Sequence, residues 1–94
     1  MTFDFNEIQF KNLDGSKRIV APTIVAEGLY DNGRSIITHT LAERIYRGTP
    51  FEINRDEISH FIEYLNGSTW FYWLKIGLIE YLQGLLAQPQ IEGN

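Results

Sequence analysis

His39 and His60 are the two histidines of the chain and the first side chains to test for chemistry. A helix would put His39 and Glu43, four residues apart, on one face, where they offer a nitrogen and an oxygen to a metal ion. A third ligand is missing from that stretch. Each histidine also falls on the polar side of its predicted helix, so the favoured reading is an ordinary surface residue. Serine chemistry needs a strained turn and a converging histidine and acid, and no Gly-x-Ser-x-Gly occurs. Gly15-Ser16, Ser35 and Ser59 read as a turn, a cap and a helix surface. Asp56, Glu57 and Glu63 contain possible acid–base pairs, but Asp56 and Glu57 are better placed to cap a helix. The chain has no cysteine, which removes disulfides, thiolate zinc sites and a Cys nucleophile. No glycine pattern matches a phosphate loop. The expectation is therefore no enzyme, no cofactor and no metal.

The residues that remain point to surfaces. Trp70, Phe71, Tyr72 and Trp73 wrap a full helical turn and cannot all enter one core. Trp73 and Ile76 fall off the main apolar stripe, and exposed aromatics are enriched at interface centres. Gly77 and Gly84, seven apart, share a side of the same helix with Trp73 and Glu80. A glycine inside a helix costs about 1 kcal/mol against alanine, so something should approach closely there. That something is either another element of the chain or a second copy. The candidate interface is Trp70, Trp73, Ile76, Gly77, Glu80 and Gly84. Arg34, Arg44 and Arg47 lie on or beside another predicted helix and form a candidate basic patch. Its plainer reading is a solvated face on which Glu43 pairs with Arg47.

These residues need elements to carry them. Ile8–Lys11 alternates apolar and polar, Asp14-Gly15 is a strong turn signal, and Lys17–Val20 supplies a return strand. The pattern predicts a β-hairpin over 5–20. Pro22 suits a helix start. Ile24, Val25, Ala26, Leu29 and Tyr30 then make an apolar face ending at Asp31-Asn32-Gly33, although Thr23–Tyr30 also reads as a strand. Ser35 caps a helix over 35–47, with Ile37, Leu41, Ala42, Ile45 and Tyr46 on its apolar face. Asn54 and Glu57 form a capping box, with Ile53 and Ile58 as a hydrophobic staple, so 55–65 is a helix stopped by Asn66-Gly67. Ser68 or Thr69 caps a last helix from Trp70 to about Ala87. Its main apolar face collects Trp70, Phe71, Leu74, Leu78, Tyr81, Leu82 and Leu85, with Tyr72 at its edge.

Length and composition bound the rest. Ninety-four residues, 44% hydrophobic and 14% aromatic, fit one ordered domain over 1–94 with a frayed tail at 88–94. The start lacks the basic and apolar stretches of a signal peptide, and the last helix is too charged to span a bilayer. A cysteine-free chain of this kind is expected in the cytoplasm. The net charge is −4, and the second half carries only Arg55 and Lys75 against its acids, which disfavours nucleic acid as a partner.

Three stretches together resemble a known group. Phe10-Lys11-Asn12-Leu13-Asp14-Gly15-Ser16, Leu41-Ala42-Glu43-Arg44-Ile45-Tyr46-Arg47-Gly48 and Glu52-Ile53-Asn54-Arg55-Asp56-Glu57-Ile58 are similar to small proteins of phages and prophage-like mobile elements. The likeness runs over about 8–86 and is structural rather than catalytic; Trp70–Trp73 lies outside its pattern. It implies a small accessory protein that binds another protein. The expectation is thus an α+β fold, with an N-terminal β-hairpin packed on about four short helices. Its function is protein–protein interaction, with homo-oligomerisation through the last helix. The rivals are a nucleic-acid-associated regulator using the arginines and a small metal-dependent enzyme built on His39 and Glu43.

Overall fold

The computed structural model describes residues 1–88. The fold is α+β, with short antiparallel strand pairs at the N-terminal side and four helices. Strand β1 (Thr2–Phe3) leads into one 3₁₀ turn (Phe5–Glu7), then β2 (Phe10–Lys11) and β3 (Lys17–Arg18). Helices α1 (Pro22–Asn32) and α2 (Ile36–Tyr46) follow, then β4 (Phe51–Glu52), α3 (Arg55–Gly67) and α4 (Tyr72–Ala87).

The hairpin is shorter than 5–20 and the strand set is larger. β2 pairs with β3 across the Asp14-Gly15 turn, with Phe10 opposite Arg18 and Lys11 opposite Lys17. Gly15 takes φ +89°, and the Asp14 carboxylate accepts from Ser16 N at 2.9 Å and Ser16 Oγ at 2.6 Å. Those two bonds hold the Asp14 carboxyl below its ordinary range. Residues 5–7 leave the strand because Phe5 turns inward on the 3₁₀ turn, where Asp4 caps Asn6 N. The unforeseen pair is β1 with β4, which joins Phe3 to Phe51 across about half of the chain.

Three of the helices follow their local signals. Pro22 opens α1, so 23–30 is helix and not strand, and Val25, Ala26 and Leu29 face the core. Ile24 and Tyr30 point outward instead of completing that face. Ser35 caps α2, and the Thr38 hydroxyl reciprocates by accepting from Ser35 N at 3.2 Å. Tyr46 is exposed, so the inner face of α2 is Thr38, Leu41, Ala42 and Ile45. The Asn54–Glu57 capping box is present in both directions, at 2.8 and 3.0 Å, and Ile53 and Ile58 are both buried. α3 runs through Asn66-Gly67 and ends at Ser68.

The last helix departs from expectation at its start. Ser68 closes α3 rather than opening α4, because its hydroxyl donates to Leu65 O at 2.8 Å. Lys75 Nζ then takes the Ser68 carbonyl at 3.0 Å. α4 begins two residues later than Trp70, with Phe71 at the cap position and no side-chain cap. The shift puts Phe71 and Tyr72 in solvent, 73% and 75% exposed, instead of on the buried face. Leu74, Gly77, Leu78, Leu82 and Leu85 form the inner face. The frayed tail expected at 88–94 lies, from residue 89 on, outside the described residues.

The core joins all layers. Phe3 stacks on Phe51 at 5.0 Å, lies 6.5 Å from Phe61 and meets Tyr81 edge-on at 5.3 Å. The Tyr81 hydroxyl accepts from Asp4 N at 2.8 Å. The hairpin lies on α4 at Gly77, where a Cβ would come within 2.6 Å of the Phe10 ring and 3.2 Å of Gln9 O. Gly77→Ala therefore has to displace a buried ring. It is expected to cost about 1–3 kcal/mol in urea unfolding, although alanine is the better helix former.

Burial pushes the Tyr81 phenol up, against the Asp4 N–H bond, and the Glu7 and Asp4 charges add to the rise. A raised pKa in the folded chain means full stabilisation below the ordinary phenol range, lost as pH climbs through the raised value. Tyr81→Phe should accordingly flatten the alkaline limb of a stability–pH profile followed by circular dichroism. An unchanged limb would show that Tyr81 does not set it.

Candidate functional site

The aromatic run divides between two sides of the molecule. Trp70 turns toward α1 and α3. It meets Tyr64 edge-on at 5.7 Å and covers Gly28, where a Cβ would fall 2.8 Å from the indole. Trp73 turns toward the hairpin. Phe10 meets it edge-on at 6.2 Å, Phe71 stacks on it at 6.2 Å with planes 9° apart, and the Arg18 guanidinium sits 4.0 Å from its ring centre. This contact explains the presence of Arg18 opposite Phe10 on the hairpin: directly paired residues share a face, and that face looks onto α4.

Of the candidate interface, Gly77 is internal. The close approach inferred there comes from the chain itself, through Phe10 and Gln9. Trp70 belongs to the other side. Trp73 and Ile76 are half-buried, Glu80 and Gly84 are exposed, and Tyr72 joins them. Positions 72, 73, 76, 80, 84 and 87 fall on one outward face of α4 by helical spacing. Among the described residues, nothing lies within 4 Å of the place a Gly84 Cβ would take.

The three arginines do not meet. Arg44 Nη1 is bonded to Glu57 Oε2 at 2.9 Å, joining α2 to α3, and its guanidinium lies 5.8 Å from the Phe51 ring centre. Arg47 lines a groove of about 430 Å³ between α1 and α2, floored by Ala26 and Ala42 and walled by Tyr30 and Tyr46. Arg34 lines a different pocket with Trp70. Glu43 pairs with His39 at 3.9 Å, not with Arg47, and the His39 ring lies 5.4 Å from Tyr30. Among the described residues, no group of three or more His, Asp or Glu side chains is arranged to hold a metal ion. His60 Nδ1 lies 2.9 Å from Asp56 O, a contact within its own helix.

The pocket shared by Arg34 and Trp70 has a volume of about 500 Å³. It joins residues that are remote in sequence: Asn32 and Arg34 from the α1–α2 turn, Glu63 and Tyr64 from α3, and Thr69 and Trp70 from the link to α4. Sequence patterns singled out Arg34 and Trp70 for separate reasons and missed Tyr64. Its position on α3, next to the expected stop at Asn66-Gly67, was the one available signal.

No protein-family model, curated protein or solved structure matches the chain. Among the described residues, no helix is long and apolar enough to cross a membrane.

Glu57 does two jobs, capping α3 through Oε1 and holding Arg44 through Oε2. Glu57→Gln keeps an acceptor for the cap and loses the charge; Glu57→Ala loses both. Urea unfolding should rank them, with Gln costing about 0.5–1.5 kcal/mol and Ala about 1 kcal/mol more. Equal losses would mean that the Asn54 N–H bond contributes nothing.

Proposed function

We propose that this protein is a non-enzymatic protein-interaction module that self-associates through the outer face of α4. The observation that carries the reading is Gly84. Gly77 has an internal reason to lack a side chain; Gly84 has none among the described residues and sits on an exposed helical face. A helix-interior glycine in open solvent forgoes about 1 kcal/mol for no internal gain. A second helix packed against it supplies the gain, because a bare Cα lets two backbones approach closely.

The neighbours of Gly84 suit such a contact. Tyr72, Trp73 and Ile76 provide aromatic and aliphatic area at one end, and Glu80 and Gln83 frame the middle. Tyrosine and tryptophan are enriched where interfaces are tightest. α4 spans sixteen residues, so the face is about 24 Å long at the usual helical rise. Phe71 extends the apolar area past the helix start. The likeness of the hairpin turn and the capped helix to phage and prophage accessory proteins fits a role in binding protein. The cysteine-free composition fits a cytoplasmic setting. The nucleic-acid reading is the less favoured, since Arg44 is engaged by Glu57 and the other two arginines line separate pockets.

Light scattering over a concentration series tests the proposal. Wild type is expected to dimerise, and Gly84→Leu and Tyr72→Ser to shift the mass toward the monomer while circular dichroism stays unchanged. A wild type that remains monomeric at the highest concentration defeats it. In that case Gly84→Ala should simply raise unfolding stability by about 1 kcal/mol without altering the mass.

A further inference from the structure

One face of the β2–β3 hairpin is already occupied. Phe10 is buried against α4. Arg18, directly opposite it, lies 4.0 Å from the Trp73 ring centre, with its Nε bonded to Asn12 Oδ1 at 2.8 Å. The other face looks to solvent. Its central pair is Lys11 and Lys17, directly opposite each other in the register and both exposed. Directly opposed side chains have their Cβ atoms about 5 Å apart, and like charges there destabilise the strand pair. Neither lysine makes an ion pair among the described residues. Glu7 borders the same hollow, of about 410 Å³, and pairs with neither.

An exposed aliphatic follows each lysine at the same interval. Leu13 lies two residues beyond Lys11, at the turn, and Ile19 two beyond Lys17, at the open end. They are 107% and 89% exposed, more than any other large apolar side chain among the described residues. The strands run antiparallel, so the aliphatics lie at opposite ends of the hairpin with the lysines between them. The surface therefore reads aliphatic, double cation, aliphatic. The hairpin is also positive, with Lys11, Lys17 and Arg18 against Asp14, in a chain of net charge −4. A partner carboxylate between the two lysines would relieve their repulsion. A nucleic acid suits the surface less, because Leu13 and Ile19 offer no aromatic ring for a base to stack on. A broad anionic surface would also meet Asp14 and Glu7.

We propose that the outer face of the hairpin docks an extended segment of another protein with the pattern aliphatic–x–acidic–x–aliphatic. Its carboxylate bridges the Lys11 and Lys17 ammonium groups, and its two aliphatic side chains cover Leu13 and Ile19. In an extended segment those three side chains share one face, about 6.5–7 Å from one to the next. The surface is separate from the outer face of α4, so docking does not require self-association.

The probe is the peptide acetyl-Leu-Ser-Glu-Ser-Leu-amide. One control carries Gln in place of Glu, and the other carries Ser in place of both Leu. The readout is an NMR titration of the Leu13 and Ile19 methyl groups and the Lys11 and Lys17 backbone amides. The acidic peptide is expected to move these signals saturably with a Kd of about 1–5 mM. Each control should bind about fivefold more weakly or worse. Lys17→Gln should weaken the peptide about threefold to fivefold, and Lys11→Gln with Lys17→Gln about tenfold or more. Both positions are exposed, and each change removes a like-charge contact. The variants are therefore expected to unfold at or above the wild-type urea midpoint. Absence of saturable shifts overturns the proposal, as does equal binding of the Glu and Gln peptides. So does a folded double variant that binds as wild type does. Tighter binding of phosphatidylglycerol vesicles, or of a single-stranded oligothymidylate, would overturn it in favour of a lipid or nucleic-acid partner.

Discussion

The Phe3 ring stands where three parts of the chain meet that are distant in sequence. β4 offers Phe51 to one side of it, α3 offers Phe61, and α4 offers the edge of Tyr81. Two-residue strands have little strength of their own. What makes the β1–β4 pair persist is the aromatic ring that it carries inward, whose burial is worth about 1.5–3 kcal/mol. The Asp4 N–H bond to the Tyr81 hydroxyl then sets how α4 lies against that strand. With α4 placed, the hairpin has a surface to rest on, and the outer face of α4 is defined as what is left.

That dependence orders the surfaces. Phe10 reaches the backbone of α4 at Gly77, and Arg18, opposite Phe10, covers the Trp73 ring. The hairpin thereby shields Trp73 alone of the aromatic run and leaves Phe71 and Tyr72 uncovered. On the other side, Trp70 packs over Gly28 and against Tyr64, and so walls the pocket that Arg34 lines. Two neighbouring tryptophans thus serve two different places, because α4 begins between them.

Legibility in the sequence followed distance along the chain. The capping box of α3, the Ser35 cap, the Pro22 start and the Asp14-Gly15 turn all depend on residues within about four positions of one another, and all appear in the structure. The β1–β4 pair was not readable, since its partners lie some fifty residues apart and neither carries a pattern of its own. The start of α4 depends on a competition that composition does not reveal: Ser68 could cap either helix, and its hydroxyl bonds Leu65 O. The consequence is that Phe71 and Tyr72 face solvent instead of the core. The pairing of Glu43 with Arg47 failed in a similar way, because His39 also lies four positions from Glu43. The pocket residues Arg34, Tyr64 and Trp70 come from three segments, and only the tertiary fold unites them.

The contact at Gly77 also bears on how such a chain can change over generations. A methyl group at 77 and a full phenyl ring at 10 cannot occupy the same space, so neither position can drift alone. A descendant with alanine at 77 keeps the hairpin seated only if residue 10 has become smaller, and a smaller residue 10 in turn exposes the Trp73 edge that Phe10 covers. Positions 10, 73 and 77 should therefore exchange residues as a linked set, while Gly84, two turns further along the same helix, meets no such contact among the described residues.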